Sequence, residues 1–302
     1  MMLLLVAVIL VCFIGYLAQT TGLCMVRGVS ESMKGNYEFL IAILLSGVLS
    51  WVAIVVSNVY GTPIDIPAYS ANWWFALGGI VFGLGTALNQ GCGVSTLSKL
   101  SRGDLTMLIT ILGWLLGWSI LSYWQPTIEL IEIFHNERIV TGSLIVLSVV
   151  IVIWAMLGDS KRKRLWFSML GIGLLAGFLF LYERHWTPSG LLHHVSDALL
   201  HNNKQSWPSL ERYFLFFALI AGMLIAAWHT KKFELKPISM KAFITHLIAG
   251  TLMGLGAALA MGGNDSQLLI SLPIFSPAGF VAVLGMLVGI RTGLFIHKLM
   301  KA

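Results

Sequence analysis

The chain has 302 residues, of which 57% are hydrophobic and only 11% charged, with a formal net charge of +6. Soluble domains carry about 25% charged residues, and one of this length cannot bury so much apolar surface, so most of it must face lipid or other membrane helices. That excludes a disordered chain, a collagen and a disulfide scaffold. The positive charges are sparse and fall between apolar runs, which argues against a nucleic-acid surface. The expected fold class is an all-α polytopic membrane protein, one membrane domain over residues 1–302.

In chain order, apolar stretches of spanning length lie at about 2–19, 38–60, 74–90, 104–124, 139–158, 165–183, 210–229, 242–260 and 277–299. Nine spans are expected. Trp73, Trp74, Trp124, Trp166, Trp207 and Trp228 fall near predicted ends, as an aromatic belt places them. The first apolar run has no basic leader and no small-x-small cleavage site, so it reads as a retained helix. Fourteen of the nineteen Lys and Arg residues, among them Arg27, Lys34, Lys99, Arg102, Lys231 and Lys298, lie in the odd-numbered loops and the C-terminal tail. The positive-inside rule then puts the N-terminus outside and the C-terminus in the cytoplasm. The run Asp159-Ser160-Lys161-Arg162-Lys163-Arg164 is the strongest marker and reads as a cytoplasmic stop. His193, His194 and His201 fall in the long stretch 184–209, read as a solvated external loop, and their spacing matches no zinc signature.

The sequence repeats itself. Residues 83–88 read GLGTAL and 254–259 read GLGAAL, five identities in six. At an offset of 171, Gly79 pairs with Gly250, Gly83 with Gly254, Gly85 with Gly256 and Gly91 with Gly262. After a one-residue slip, Gly113 and Gly117 pair with Gly285 and Gly289. A weaker echo sets Thr21-Gly22-Leu23 against Ser189-Gly190-Leu191. Residues 1–124 thus form a first unit of four spans and 165–302 a second, with one linking span in 125–164. That single linking span makes the units inverted, an arrangement common in transporters.

Each GLG helix ends in a polar, glycine-rich break followed by a segment too short to span. In the first unit it runs Asn89-Gln90-Gly91-Cys92-Gly93-Val94-Ser95-Thr96, and in the second Ala260-Met261-Gly262-Gly263-Asn264-Asp265-Ser266-Gln267. Irregular backbone at membrane depth is tolerated only where it is buried or lines a polar cavity. Two such re-entrant segments, entering from opposite sides, are expected to meet at a central constriction whose exposed N–H groups favour an anion.

These residues resemble the YeeE/YedE sulfur-transport family, in Gly83-Leu84-Gly85 through Gly91-Cys92, in Gly254-Leu255-Gly256 through Gly262-Gly263-Asn264, in Gly22-Leu23-Cys24 with Arg27, and in the Leu100-Ser101-Arg102-Gly103-Asp104 exit. The resemblance covers nearly the whole chain. It implies a bacterial inner-membrane permease that takes up thiosulfate, a small sulfur oxyanion, with Cys24 and Cys92 touching the solute. It also implies a small cytoplasmic sulfur-carrier protein as partner, near the first cytoplasmic loop or residues 230–241. One departure stands out. Family members often carry a third pathway cysteine in the second break, where this chain has Gly263.

The residues themselves leave some alternatives open. Cys92, between Gly91 and Gly93, offers a soft contact to a sulfur atom. Cys24 is divided between pathway and packing, whereas Cys12, inside the first span, reads as structural. Asp265 either couples protons or caps the short helix. Asn264, Gln267, Asn89 and Gln90 are candidate donors to the solute. No CxxC pair, nucleotide fingerprint or catalytic triad order occurs, so no cofactor and no metal are expected. The rival function is a membrane thiol enzyme passing sulfur or electrons through Cys24 and Cys92.

Overall fold

In a computed structural model, residues 2–61, 67–124, 126, 128–134, 136–201, 207–240 and 242–299 are described, excluding the His201 side chain. Lys204, Lys241 and Lys301, part of the charge count, lie outside the described residues.

The chain forms α1 (Met2–Thr21), α2 (Met25–Ser32), α3 (Glu38–Leu44), α4 (Ser50–Val59), α5 (Trp73–Leu88), α6 (Gly93–Ser101) and α7 (Met107–Trp124). A 3-10 turn, Ser46–Leu49, joins α3 to α4. There follow α8 (Glu137–Met156), α9 (Ser160–Tyr182), α10 (Pro188–His201), α11 (Leu210–His229), α12 (Phe243–Leu259), α13 (Asn264–Ser266) and α14 (Pro277–Leu299), with a π-helical turn at Gln267–Ser271 after α13. Two-residue strands β1 (Ala68–Tyr69) and β2 (Glu132–Ile133) pair antiparallel. Among the described residues, eight helices are long and apolar enough to cross a membrane. A ninth candidate is α12 with Asn264–Ser271, bent by 45°. This is a multi-pass, all-α membrane protein, and each expected span finds its helix.

Side-chain oxygens start three of these helices: Asn72 accepts from Trp74 N, Asn136 from Arg138 N and Asp159 from Arg162 N. The basic run after Asp159 is therefore not a bare loop but the first turn of α9. Arg162 pairs with Glu38 at 2.7 Å and lies over the Trp154 ring. Trp166, expected in the aromatic belt, is buried and donates to Glu38 Oε1. Trp73, Trp124, Trp207 and Trp228 are exposed, with Trp74 stacked on Trp73.

The centre is built by backbone-to-backbone packing at the repeated glycines. Methyl groups added at Gly79 and Gly83 would overlap the carbonyls of Ala282 and Met286 on α14. At Gly250 and Gly254 they would overlap those of Thr110 and Trp114 on α7. Ala282 and Met286 are the repeat counterparts of Thr110 and Trp114, so the contacts are exchanged reciprocally: α5 packs on α14 as α12 packs on α7. Only small residues allow this approach. It sets both GLG helices, α5 and α12, side by side and brings the breaks after them to one centre.

Candidate substrate pathway

The two breaks share a backbone conformation. Gln90 and Met261, at equivalent positions, both take positive φ, 53° and 55°. Cys92 and Gly263 then cap α6 and α13 with nearly the same angles, φ −79° ψ −179° and φ −74° ψ −177°. Cys92 is fully buried. Gly91 and Gly93 have no room for side chains: a Cβ would stand 2.6 Å from Ser95 Oγ at the first and 2.5 Å from Trp114 Cη2 at the second.

A third break joins the first unit's site. After α1 the chain turns at Gly22-Leu23-Cys24, placing the Cys24 thiol 3.4 Å from Ser95 Oγ and near enough to the free Cys92 thiol to interact with it. Ser95 Oγ in turn donates to the Cys92 carbonyl at 3.0 Å. The sequence reading divided Cys24 between pathway and packing. The fold brings it to Cys92.

The fourth break, Glu183–Thr187, lies in the stretch read as a solvated loop. That reading is corrected by α10, which packs on α7 and α11 with Trp186, Leu191, Leu192, Ser196 and Ala198 buried. His193 rests on Trp118 with ring centroids 4.4 Å apart, and His194 neighbours it. Burial, then the charge of His194, pulls the His193 imidazole down from 6.5 to about 4, so it is neutral near pH 7. His185 is also shifted down, chiefly by burial. The Asp265 carboxylate ties α10 to the second break: Oδ2 accepts from Ser189 N at 3.0 Å, and Oδ1 from Ser189 Oγ at 2.7 Å and Ser266 N at 3.0 Å. This bracket also bears on the missing cysteine. A Cβ at Gly263 would stand 2.7 Å from Asp265 Oδ1 and 3.1 Å from Ser189 Cβ.

The four candidate amides divide into different jobs. Asn89 is buried with every hydrogen-bonding position used. Its Nδ2 donates to Gly91 O and Thr96 Oγ1, and its Oδ1 accepts from Thr110 Oγ1 and His246 Nδ1. It holds the Gly91–Cys92 turn in place and has no donor left for a solute. Gln90 reaches the His297 ring. Lys99 donates to the carbonyls of Asn89 and Gln90, capping the end of α5. Asn264 differs from these. It is 4% exposed, its Oδ1 has no partner, and that oxygen faces Gly93. Sequence pattern missed Thr187 and Ser189, for which the available signal was the weak echo around Gly22 and Gly190, and passed over Ser95 within the first break.

Around these residues lie three spaces. A vestibule of about 570 Å³ is lined by Arg184, His193, Thr187, Ser189, Ser266 and Gln267. Another, of about 500 Å³, is lined by Cys24, Arg27, Lys34, Gln90 and His297. A small cavity of about 50 Å³ adjoins Leu23, Cys92, Val94, Asn264, Asp265 and Leu268. At roughly 10–15 Å³ per water, it has room for a few waters or one small ion.

Two vestibules and a small buried cavity, inside a bundle of spanning helices, suit a membrane transporter. The family described as "Sulphur transport" matches residues 20–292, and the chain belongs to it. The protein named "Thiosulfate transporter TsuA" of Escherichia coli (strain K12) is 22% identical, over 92% of this chain and 90% of its own length. Family and relative are transporters, not enzymes, so the alternative of a membrane thiol enzyme acting through Cys24 and Cys92 is set aside.

Proposed function

We propose that this chain imports thiosulfate, or a closely related small sulfur anion, across a bacterial inner membrane through the constriction between its two vestibules. The observation that carries this reading is the Asn264 side chain, buried beside the small cavity it shares with Cys92, whose Oδ1 no protein donor holds, so the amide is free to turn its Nδ2 donor toward an anion. An anion such as thiosulfate offers only acceptor atoms, so it is the Nδ2 donor that meets it, and a hydrogen bond to a charged group contributes about 1.5–3 kcal/mol. Cys92 and Cys24 add soft contacts to its sulfur, while Gly91, Gly93 and Gly263 let the two breaks pack closely around the centre. Release demands weak binding, so a soft contact of about 1 kcal/mol plus backbone donors suits the task and a lasting covalent adduct does not.

The two four-span units stand inverted in the bilayer, with the N-terminus outside and the C-terminus in the cytoplasm. The α10 vestibule is then external and the Arg27–Lys34 vestibule internal, each offering cationic groups to an anion. A small cytoplasmic sulfur-carrier protein collects the solute at the internal face. There residues 230–240 are pinned to the α6 exit, with Glu234 N and Lys236 N donating to the Arg102 and Gly103 carbonyls. Gly103 has φ +97°, and a Cβ there would stand 2.5 Å from the Glu234 carbonyl oxygen.

The test is uptake of labelled thiosulfate by cells carrying single-cysteine variants, with membrane abundance measured alongside. Cys92→Ala abolishes nearly all uptake, Cys24→Ala is intermediate and Cys12→Ala is close to unchanged. Full uptake by Cys92→Ala at normal abundance defeats the sulfur-specific reading.

A further inference from the structure

The floor of the α10 vestibule holds three hydroxyl oxygens in a triangle. Thr187 Oγ1 and Ser266 Oγ are 3.2 Å apart, Ser189 Oγ and Ser266 Oγ 3.1 Å, and Thr187 Oγ1 and Ser189 Oγ 3.5 Å. These are long for hydroxyl pairs, since good O–H···O bonds run at about 2.5–3.0 Å. The Ser189 hydrogen is moreover committed to Asp265 Oδ1 at 2.7 Å. The spacing is that of oxygens sharing a metal ion: octahedral ligands held at about 2.4 Å stand about 3.4 Å from one another.

A second, independent feature points the same way. Gln267 is 3% exposed, and its Oε1 has no hydrogen-bond partner. Its Nε2 is fixed to the Ala260 carbonyl at 2.6 Å, so the amide cannot turn over to present a donor instead. Ser266 Oγ and Gln267 Nε2 border the same bare side of Gly262, 3.3 Å and 3.6 Å from where a Cβ would stand. All four side chains line the vestibule. What they offer is three neutral hydroxyl oxygens and the unpartnered Gln267 Oε1, beside the Asp265 carboxylate.

We propose that Thr187, Ser189, Ser266 and Gln267 form a binding site for a monovalent cation of the size of Na+, with the Asp265 carboxylate behind Ser189 balancing its charge. One carboxylate suits a single positive charge, whereas divalent ions usually draw several carboxylates. Broken helices supply coupling-ion ligands elsewhere among transporters. The first unit has no equivalent, because Val94 stands where the second has Asp265 and the Cys24 thiol approaches Ser95.

The site also accounts for a carboxylate beside an anion's path. With the cation seated, Asp265 no longer repels the anion, and the cation's inward movement offsets the work of moving negative charge into a negative interior. This coupling role rests on the reading of the chain as an anion importer, whereas the binding site does not.

The experiment uses the purified full chain, with radiolabelled Na+ binding in detergent and labelled thiosulfate uptake into liposomes under Na+, K+ or choline gradients. We expect saturable Na+ binding and uptake stimulated by Na+ over choline. In Ser266→Ala the half-saturating Na+ concentration rises at least tenfold, and Ser266→Thr restores it, with gel filtration showing that both variants are folded. Na+ binding without thiosulfate uptake supports the site and defeats the proposed function instead. Absence of saturable Na+ binding overturns the site, and wild-type uptake driven equally well by a proton gradient in Na+-free medium overturns its coupling role.

Discussion

Asn89 and Asn264 show how alike two residues can look in a sequence and how differently a fold uses them. Both follow GLG helices and both are buried. Asn89 spends its amide on Gly91, Thr96, Thr110 and His246. Removing it strands several buried partners, and leaving even one unsatisfied costs about 1–3 kcal/mol. Asn89→Ala is therefore expected to lower the detergent melting temperature and membrane abundance together. Asn264→Ala removes no hydrogen bond to the protein and should leave abundance and melting near normal while uptake falls several-fold. Normal abundance in the first variant, or full uptake in the second, reverses these assignments. Cys92 and Gly263 make a similar pair. The same cap angles carry a thiol beside Cys24 in one unit and nothing in the other, where Ser189 and Asp265 fill the space.

At the scale of elements, α10 carries the most distinctive physics. It is too short to span, and it is held by Ser189 on Asp265, Ser196 on the Leu115 carbonyl and His193 on Trp118. His193 has its folded pKa pulled from 6.5 down to about 4. A depressed histidine favours the neutral form in the fold, so its contribution is complete above about pH 6.5 and is lost as the pH falls toward 4. Melting in detergent should therefore weaken across that window. His193→Phe, which keeps an aromatic ring on Trp118 and removes the titration, should flatten the decline. An unchanged acid profile in the variant means the loss comes from other groups. The element was missed in the sequence because its polar face, with His193, His194 and Asp197, looks solvated until α7 is set against it.

For the whole molecule, the reciprocal glycine contacts bind the two units through α5, α7, α12 and α14, so neither half has a separate centre. The four breaks then converge in two pairs, Cys24 with Cys92 and Ser189 with Asp265, beside a small cavity. This arrangement suits alternate opening only if the units face opposite ways across the bilayer. A reporter active only in the periplasm should accordingly be silent when fused after Ala302 and active when fused before Met1. Strong activity at the C-terminal end defeats both the orientation and the inversion.

Composition and period alone determined that the chain crosses a membrane repeatedly and where its spanning helices run, and pointed to GLGTAL and GLGAAL as equivalent helices with polar breaks after them. These are local properties, set by transfer energy summed along a stretch and by small residues at fixed spacing. The tertiary structure alone decided that Cys24 reaches Ser95 across 71 positions, that Ser189 reaches Asp265 across 76, that α10 lies buried, and that Asn89 is spent while Asn264 is free. The reason is physical: a buried polar side chain takes its role from the partner that satisfies it. Here the partners come from other breaks, and their positions follow only once the glycine-faced helices have packed.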